Sequence, residues 1–276
     1  MSTASLSEQD RSRRALCHPD GQKSCGACCG MYNHRQTAEP ELMARLRHRT
    51  EAFRREASID DAASLRAFRQ KWEDPPEVKL LGELASCPFL GLLDGLDTRG
   101  RVGCLVHPLQ NDGVDGRDCG VYDRHTCEDY LCAAHAVLKR EEVNLVLAAV
   151  PDSYLYGLVI TNPRLIRTFF ELAATERGAY PQARELSDPA VVAAAAEFFS
   201  LVRSWPYRAA DGIFGSVVPG EGLETHRRAH PAGEGLRQPV DTLLIGLGTR
   251  TLSQPELADA RGLLLGAVSR FARALG

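Results

Sequence analysis

The sequence predicts a mainly α-helical fold with an irregular, loop-rich and cysteine-rich front region. All nine cysteines fall within the first 132 of the 276 residues, and helix start and stop signals recur in the rest. We therefore expect two parts. Residues 1–140 form a cysteine-cluster region, and residues 141–276 form a mainly helical C-terminal region packed against it.

Two helices are predicted at the front of the chain. Thr37 is a suitable N-cap for a helix that runs to Arg49, and a second helix extends from Glu51 to Trp72, where Asp74-Pro75-Pro76 ends it. A short helical piece is expected at Val78–Leu84.

The stretch from Gly91 to Tyr122 is rich in Gly, Asp and Pro and has little periodic signal, so we expect loops there. The spacing of Thr126 and Asp129 is typical of a helix start, and Tyr130–Arg140 continues with good helix formers. Cys127 then falls in the first turn, where a helix N-terminus stabilises a thiolate.

The C-terminal region begins with two apolar runs, Val143–Val150 and Tyr154–Thr161. Each reads as a strand, so a short β-hairpin is predicted near residues 143–161, although a helix fits the first run almost as well. Helices are predicted from Asn162-Pro163 to Gly178 and from Asp188-Pro189 to about Ser204.

Residues 205–236 are rich in Gly, Pro and polar side chains and are expected to form a long loop. Ser253 and Glu256 then make a capping box that opens a final amphipathic helix. Its apolar stripe consists of Leu257, Ala260, Leu264, Val268, Phe271 and Leu275.

Composition excludes several classes of protein. A chain that is 44% hydrophobic and 25% charged is globular, and a net charge of -3 gives no broad positive field for nucleic acid or an anionic membrane. The apolar runs are far shorter than the ~20 residues that cross a bilayer. Met1–Asp20 has no apolar stretch and does not read as a secretory signal. We expect a cytoplasmic protein whose partner or substrate is another protein.

Cysteines in this number indicate chemistry rather than packing. Disulfides are rare in a reducing cytosol, so free thiols indicate metal ligation or redox use. An isolated buried cysteine is an ordinary apolar side chain, and that interpretation stays open for Cys17. The candidate metal ligands are Cys17, Cys25, Cys28, Cys29, Cys87, Cys104, Cys119, Cys127 and Cys132.

The first half-site is the loop that contains Cys25, Cys28 and Cys29. A pair separated by two residues lets both sulfurs reach one metal. The adjacent side chains of Cys28 and Cys29 point in different directions, so they more easily serve two metals or two edges of a polynuclear centre.

The second half-site is spread over the five cysteines from Cys87 to Cys132. From Cys25 onward there are eight thiols, which is enough for two four-thiolate sites. Such sites suit zinc and also iron–sulfur clusters, including the 4Fe–4S type. We prefer iron–sulfur, because vicinal cysteines and widely spaced ligands on loops fit a larger inorganic core.

In combination, these motifs resemble the bacterial YkgJ-like, or CxxCxxCC, cysteine-cluster family of zinc- or iron-chelating proteins. The similarity rests on the Cys25–Cys29 loop, on Cys87-Pro88-Phe89-Leu90 and on Gly103-Cys104 followed by His107-Pro108, within residues 17–135. It implies a bound zinc ion or iron–sulfur cluster. The family's first cysteine falls at Gln22, which cannot replace a thiolate, so either Cys17 fills that place or one ligand is missing.

Histidines are further candidate ligands. His107 lies three residues after Cys104, and the ligand and backbone-bonded interpretations are balanced there. His135 lies three residues after Cys132, where a hydrogen-bonded histidine is favoured over a ligand. His18 and His125 are weaker candidates. The stretch 111–118 is similar to a calcium loop, but Tyr122 stands where a glutamate is needed, which favours a solvated turn.

Three functions fit these observations. The thiolates hold iron–sulfur clusters in a protein that moves electrons or assists a redox enzyme. Alternatively, they hold structural zinc and the C-terminal half binds a partner. In the third, an open metal position makes the chain an enzyme, for example a protein-modifying one. No phosphate-binding loop or radical-enzyme cysteine motif is present in the sequence, and no catalytic residue is assigned.

Overall fold

The computed structural model describes residues 16–36, 38–93, 100–209 and 238–276. Thr37, residues 1–15 and most of the predicted loop at 205–236 lie outside the described residues. The chain divides into two compact units. The first runs to His135 and includes Asp152–Tyr154, and the second comprises Ala136–Pro151 and Leu155–Gly276. The prediction of a helix-dominated fold is confirmed.

Two long helices open the first unit. Helix α1 spans Glu39–Glu56 and helix α2 spans Ala62–Trp72. The predicted break after Arg49 is wrong, because no helix breaker stands there and the helix continues for two more turns. The real break precedes α2, where the Asp61 carboxylate caps the backbone N–H groups of the first turn.

A small hairpin follows in the region predicted to be loop. Strand β1 (Leu90–Leu92) pairs antiparallel with β2 (Val102–Cys104), with Leu90 opposite Cys104. The predicted helical piece at Val78–Leu84 is wrong: a single 3-10 turn forms at Pro76–Val78. Further 3-10 turns form at Pro108–Gln110 and Arg117–Cys119.

Helix α1 packs on this hairpin. The Thr50 hydroxyl accepts a hydrogen bond of 2.9 Å from the backbone N–H of Leu92, at the end of β1. Under it lies an apolar core of six buried side chains, with Phe68 stacked on Phe89 at 5.8 Å. These six are Ala52, Leu65, Phe68, Phe89, Val106 and Cys119.

The segment after the hairpin is more broken than its sequence suggests. Helix α3 spans only Arg124–Asp129, is capped by Asp123 rather than Thr126, and ends at Tyr130. Helix α4 spans Ala133–Val137. Cys127 therefore sits in the second half of a short helix, and the expected stabilisation of its thiolate by a helix N-terminus is wrong.

The predicted β-hairpin near residues 143–161 is wrong. Helix α5 spans Arg140–Ala149 and helix α6 spans Ser153–Ile160. The Glu142 carboxylate accepts a 2.6 Å hydrogen bond from the backbone N–H of Lys139 and fixes the start of α5. Both runs are apolar on several faces, so periodicity could not distinguish buried helix from buried strand.

The three long helices that remain in the second unit follow their predicted caps, and a short helix forms where none was predicted. Helix α7 spans Pro163–Arg177, and Gly178 ends it with φ +79°. Helix α8 spans Pro189–Ser204, α9 Asp241–Gly246 and α10 Gln254–Ala274.

The core of the second unit is aromatic. Phe169 stacks on Phe198 at 4.0 Å and contacts Phe271 at 4.5 Å, which joins α7 to α8 and α10. The whole predicted stripe of α10, from Leu257 to Leu275, is buried. Within the described ranges, the helices are too short or too polar to cross a membrane.

Candidate metal centre

The loop that carries Cys25, Cys28 and Cys29 is fixed at both ends. At its start, the buried hydroxyl of Ser24 donates to the carbonyl of Val102 at 2.6 Å and accepts from the N–H of the same residue at 2.8 Å. At its end, the hydroxyl of Tyr32 donates to the carbonyl of Tyr154 at 2.8 Å. The Ser24 bonds hold the start of the loop against strand β2, and the Tyr32 bond fixes its end to Tyr154.

A glycine sets the course of the loop just after the vicinal pair. Gly30 has φ +84°, and a Cβ added there would lie 2.7 Å from the Cα of Ser86. This close approach lets the N–H of Cys87 donate to the carbonyl of Cys29 at 2.9 Å. The local backbone thus brings two cysteines together that are far apart in sequence.

One group of thiols gathers on the Cys28 side of the loop. We call Cys17, Cys25, Cys28 and Cys132 the first thiol group. The N–H of Cys25 donates to the carbonyl of Cys17 at 2.9 Å. The side chains of Cys28 and Cys132 are in hydrogen-bond contact, and the charge of Cys132 also affects the pKa of Cys25.

Another group gathers on the Cys29 side. We call Cys29, Cys87, Cys104 and Cys127 the second thiol group. Burial raises the pKa of Cys29, and the next largest contributions come from Cys87, Cys104 and Cys127. Cys87 likewise raises the pKa of Cys104 and of Cys127. The vicinal pair Cys28-Cys29 therefore divides between the two groups.

Backbone amides point at several of these sulfurs. In each case the N–H of the residue two positions further on donates to the cysteine sulfur, at Cys25, Cys87, Cys104 and Cys132. Such bonds favour the thiolate form, and hydrogen bonds to sulfur also tune bound metal clusters. The repeated geometry makes the backbone complementary to thiolate ligands in both groups.

Burial opposes ionisation of the metal-free thiols. It raises the pKa of Cys25 and Cys29 well above the usual range, that of Cys104 to about 12 and that of Cys127 to about 11. Cys132 differs, because its contacts with Cys28 and His135 lower its pKa to about 5 against the effect of burial. A bound cation would offset the charge of the remaining thiolates.

Cys119 is placed differently from the other candidates. It is buried in the apolar core of the first unit, and its sulfur points to the carbonyl of Ala62 at 3.9 Å. Its environment is that of a packed apolar cysteine. The ninth thiol is therefore Cys119, whereas Cys17, for which a packing role stayed open, lies with the first thiol group.

The four candidate histidines have different surroundings. His107 accepts a 3.1 Å hydrogen bond from the N–H of Leu109 and caps a 3-10 turn, so it is engaged with backbone. His18 lies beside His107, and burial followed by the charge of His107 lowers its pKa. His125 is exposed. His135 alone of these contacts a thiol: its Nδ1 lies 3.4 Å from the sulfur of Cys132.

Charged residues beside the thiols were missed by sequence reasoning. Arg49 is buried and pairs with Asp74 at 3.0 Å. Burial raises the pKa of Cys87, and the charge of Arg49 partly opposes that rise. Arg117 is also buried and binds Asp115 and Glu128, each at 2.6 Å, which fixes the helix that carries Cys127. Arg117 lies two residues before Cys119, whereas Arg49 is 20 residues from the nearest cysteine in the sequence, so no local signal indicated it. The carboxylate of Asp115 is paired with Arg117, which fits the predicted turn at 111–118 and not a calcium loop.

Among the described residues, no three or more His, Cys, Asp or Glu side chains form a group that could hold a metal ion as they stand. Comparisons with protein-family models, curated proteins and solved structures found no significant match. Any function must therefore be argued from the two thiol groups themselves.

Proposed function

We propose that this chain is a metal-binding protein with two thiolate-ligated centres, one at each thiol group. The observation that carries the proposal is the division of Cys28 and Cys29 between the groups. The side chains of adjacent residues point in different directions, so the short loop that carries Cys28 and Cys29 can serve two centres at once. Eight of the nine cysteines are used in this way, and the ninth is packed in the core.

The donor set supports an iron–sulfur cluster at the second thiol group. Its four members are all cysteines, and they come from the vicinal loop, the Cys87 turn, strand β2 and helix α3. Four thiolates are typical ligands of such clusters, and Cys87 and Cys104 also accept backbone N–H bonds on their sulfurs. When bound, the cluster would supply one-electron chemistry, and the chain's contribution would be ligation, burial and hydrogen bonds to sulfur.

The first thiol group favours zinc as a second candidate. The sulfur of Cys132 lies 3.4 Å from the Nδ1 of His135 and in contact with the thiol of Cys28. Neighbouring ligands of one tetrahedral zinc ion are roughly 3.6 Å apart, given bond lengths of about 2.0 and 2.3 Å. A structural zinc there would leave the second unit free to bind a partner.

The proposed role is electron transfer or assistance to a redox enzyme in the cytoplasm, with a protein as partner. Nine free thiols suit a reducing compartment. The net charge of -3 does not favour nucleic acid or an anionic membrane as the partner.

Anaerobic purification tests the proposal directly. We expect brown protein with broad visible absorption and iron bound per chain if a cluster is present, and colourless protein with bound zinc in the alternative. In addition, Cys28→Ser and Cys29→Ser should each remove one centre and leave the other. Cys119→Ser is the matched control and should keep both. Protein without metal, or two vicinal variants that lose the same centre, would contradict the proposal.

A further inference from the structure

Two of the free thiols are in direct contact with each other. The side chains of Cys28 and Cys132 share a hydrogen bond, although the two residues are 104 positions apart in the sequence. By contrast, Cys87 and Cys104 act on Cys29 through their charge. A disulfide has an S–S bond of about 2.05 Å, so it forms most easily between sulfurs that are in contact beforehand.

The backbone holds each of these two cysteines in place. Cys28 lies in a turn in which the N–H of Gly30 donates to the carbonyl of Ala27 at 2.9 Å. On the other side of the contact, the N–H of Ala134 donates to the sulfur of Cys132. Fixed positions raise the effective concentration of one thiol at the other, which favours a reaction between them.

A small oxidant can reach this pair of thiols. Cys28 is half-buried, Cys132 is 8% exposed, and the side chain of Leu131 next to it is 39% exposed. Cys119 is also 8% exposed, but its sulfur faces the carbonyl of Ala62 rather than a thiol. Cys119 is therefore a control with equal burial and a different neighbour.

We propose that Cys28 and Cys132 form a redox-active dithiol, which a peroxide oxidises reversibly to a disulfide. In a reducing cytosol such disulfides are transient and serve catalysis or redox sensing. The inference does not require a bound metal. One consequence does rest on the proposed metal-binding function: a metal at the first thiol group competes with the disulfide for the same two sulfurs, so oxidation would release it.

The oxidation balances with one peroxide per pair of thiols. One sulfur attacks a peroxide oxygen, the O–O bond breaks, and the departing hydroxide takes up the thiol proton as water, which leaves a sulfenic acid. The second sulfur attacks the sulfenic sulfur, the S–O bond breaks, and another water leaves with the second thiol proton. The two sulfurs lose two electrons and the peroxide gains them. A thiol reductant reverses the reaction by exchange.

Peroxide treatment of the full chain tests the pair. Protein purified without oxygen is mixed with an equimolar amount of hydrogen peroxide and with a chelator that traps any released metal. We expect the number of free thiols to fall from nine to seven and to return to nine with a thiol reductant. After alkylation, trypsin should release residues 24–35 linked to residues 125–139, and fragmentation should place the link at Cys28 and Cys132.

Serine variants test the role of the contact. Cys28→Ser and Cys132→Ser should each slow the peroxide-dependent loss of thiols at least about tenfold, because the thiol in contact with the remaining one is gone. Cys119→Ser, the equally buried control, should lose two thiols at the wild-type rate. The peptide map of the wild-type chain decides the pairing even where a variant does not fold.

The outcomes separate this inference from the proposed function. A link between other cysteines, such as Cys25 with Cys28, would overturn the inference, as would thiols that survive peroxide or are oxidised without a link. These results would leave the metal-binding function standing, because that function is judged by metal content. Conversely, a chain that forms the Cys28–Cys132 disulfide but is purified without metal would support the inference and contradict the proposed function.

Discussion

At the scale of single residues, the environment of each cysteine separates ligands from packing. Cys119 and Cys104 belong to the same region of the first unit, yet Cys119 is buried among apolar side chains while Cys104 is next to Cys87 and Cys127. Both pack in or against the same apolar core. The difference between them is therefore chemical, and it can be measured.

We expect Cys104→Ser to lose the metal of the second centre and Cys119→Ala to keep it. Cys119→Ala should cost roughly 1 kcal/mol in free energy of unfolding, because only one buried atom is removed. Elemental analysis gives metal content, and urea unfolding gives stability. Equal metal loss in the two variants would show that Cys119 is a ligand.

Asp115 provides a pH-dependent test of the ion pairs of Arg117, which fix the helix that carries Cys127. Its hydrogen bonds with Arg117 lower the pKa of the carboxyl group to about 2. Because this folded-state pKa is below the unfolded value of about 3.9, the stabilisation is complete above pH 4 and is lost as the pH falls towards 2. Asp115→Asn should therefore cost roughly 1.5–3 kcal/mol at pH 7 and progressively less in acid.

The control for Asp115 is Asp118→Asn. Asp118 is exposed, and its carboxylate is 3.8 Å from the guanidinium of Arg124. It also accepts a 3.0 Å hydrogen bond from the backbone N–H of Arg124, which the amide oxygen of asparagine can accept as well. Its replacement should therefore change stability by less than about 0.5 kcal/mol at any pH. Urea unfolding from pH 7 to pH 2 checks both variants. A cost for Asp115→Asn that is constant across this range would contradict the assigned pKa shift.

At the scale of secondary-structure elements, local signals predicted helices α7, α8 and α10 and failed for the two apolar runs before them. Asn162, Asp188 and Ser253 each cap the helix they were expected to cap, since capping depends only on residues a few positions away. The apolar runs at 143–161 had no comparable signal, so their helices were missed. The β1–β2 hairpin lacks the alternating pattern of an ordinary strand pair, because glycines face each other at its centre.

The candidate site shows the same division between local and distant information. The divergence of Cys28 and Cys29 follows from backbone geometry and was predictable. Which cysteine joins which group depends on contacts such as the one between Cys29 and Cys87, far apart in the chain. Sequence spacing contains no information on that pairing, and it could not identify Cys119 as the spare thiol.

The turn at Gly30 should be essential to the second centre. Gly30→Ala combines φ +84° with a Cβ 2.7 Å from the Cα of Ser86, so backbone must move. Gly113 is a matched control, because its φ is +91° and no atom lies within 4 Å of a Cβ built there. Gly113→Ala therefore measures the conformational strain alone, about 1 kcal/mol.

We expect Gly30→Ala to cost at least about 2 kcal/mol more than Gly113→Ala and to weaken metal binding at the second centre. Denaturant unfolding and metal analysis of both variants provide the comparison. Equal losses in the free energy of unfolding would mean that the backbone moves away from Ser86 at no cost in stability. The turn would then not be what positions Cys29 beside Cys87.

At the scale of the whole molecule, the two units differ in what stabilises them. The second unit has a continuous aromatic core in which Phe169 contacts Phe198 and Phe271. The first unit has a smaller apolar core. It also has long irregular segments between residues 100 and 123, with short 3-10 turns at Pro108–Gln110 and Arg117–Cys119. Both proposed centres lie in the first unit, so metal ligation would add stability there and not in the second.

Metal removal should therefore loosen one unit selectively. Ligation free energy becomes folding free energy where the ligands come from distant loops, as at Cys29, Cys87, Cys104 and Cys127. In hydrogen-exchange mass spectrometry, a chelator under anaerobic conditions should speed amide exchange in peptides from residues 100–132. Peptides from α7, α8 and α10 should remain protected, because their hydrogen bonds are covered by aromatic packing. The Cys119→Ala variant, treated in the same way, should respond like the wild type. Exchange that rises equally in both units, or in neither, would mean that the thiol groups do not stabilise the fold through a bound metal.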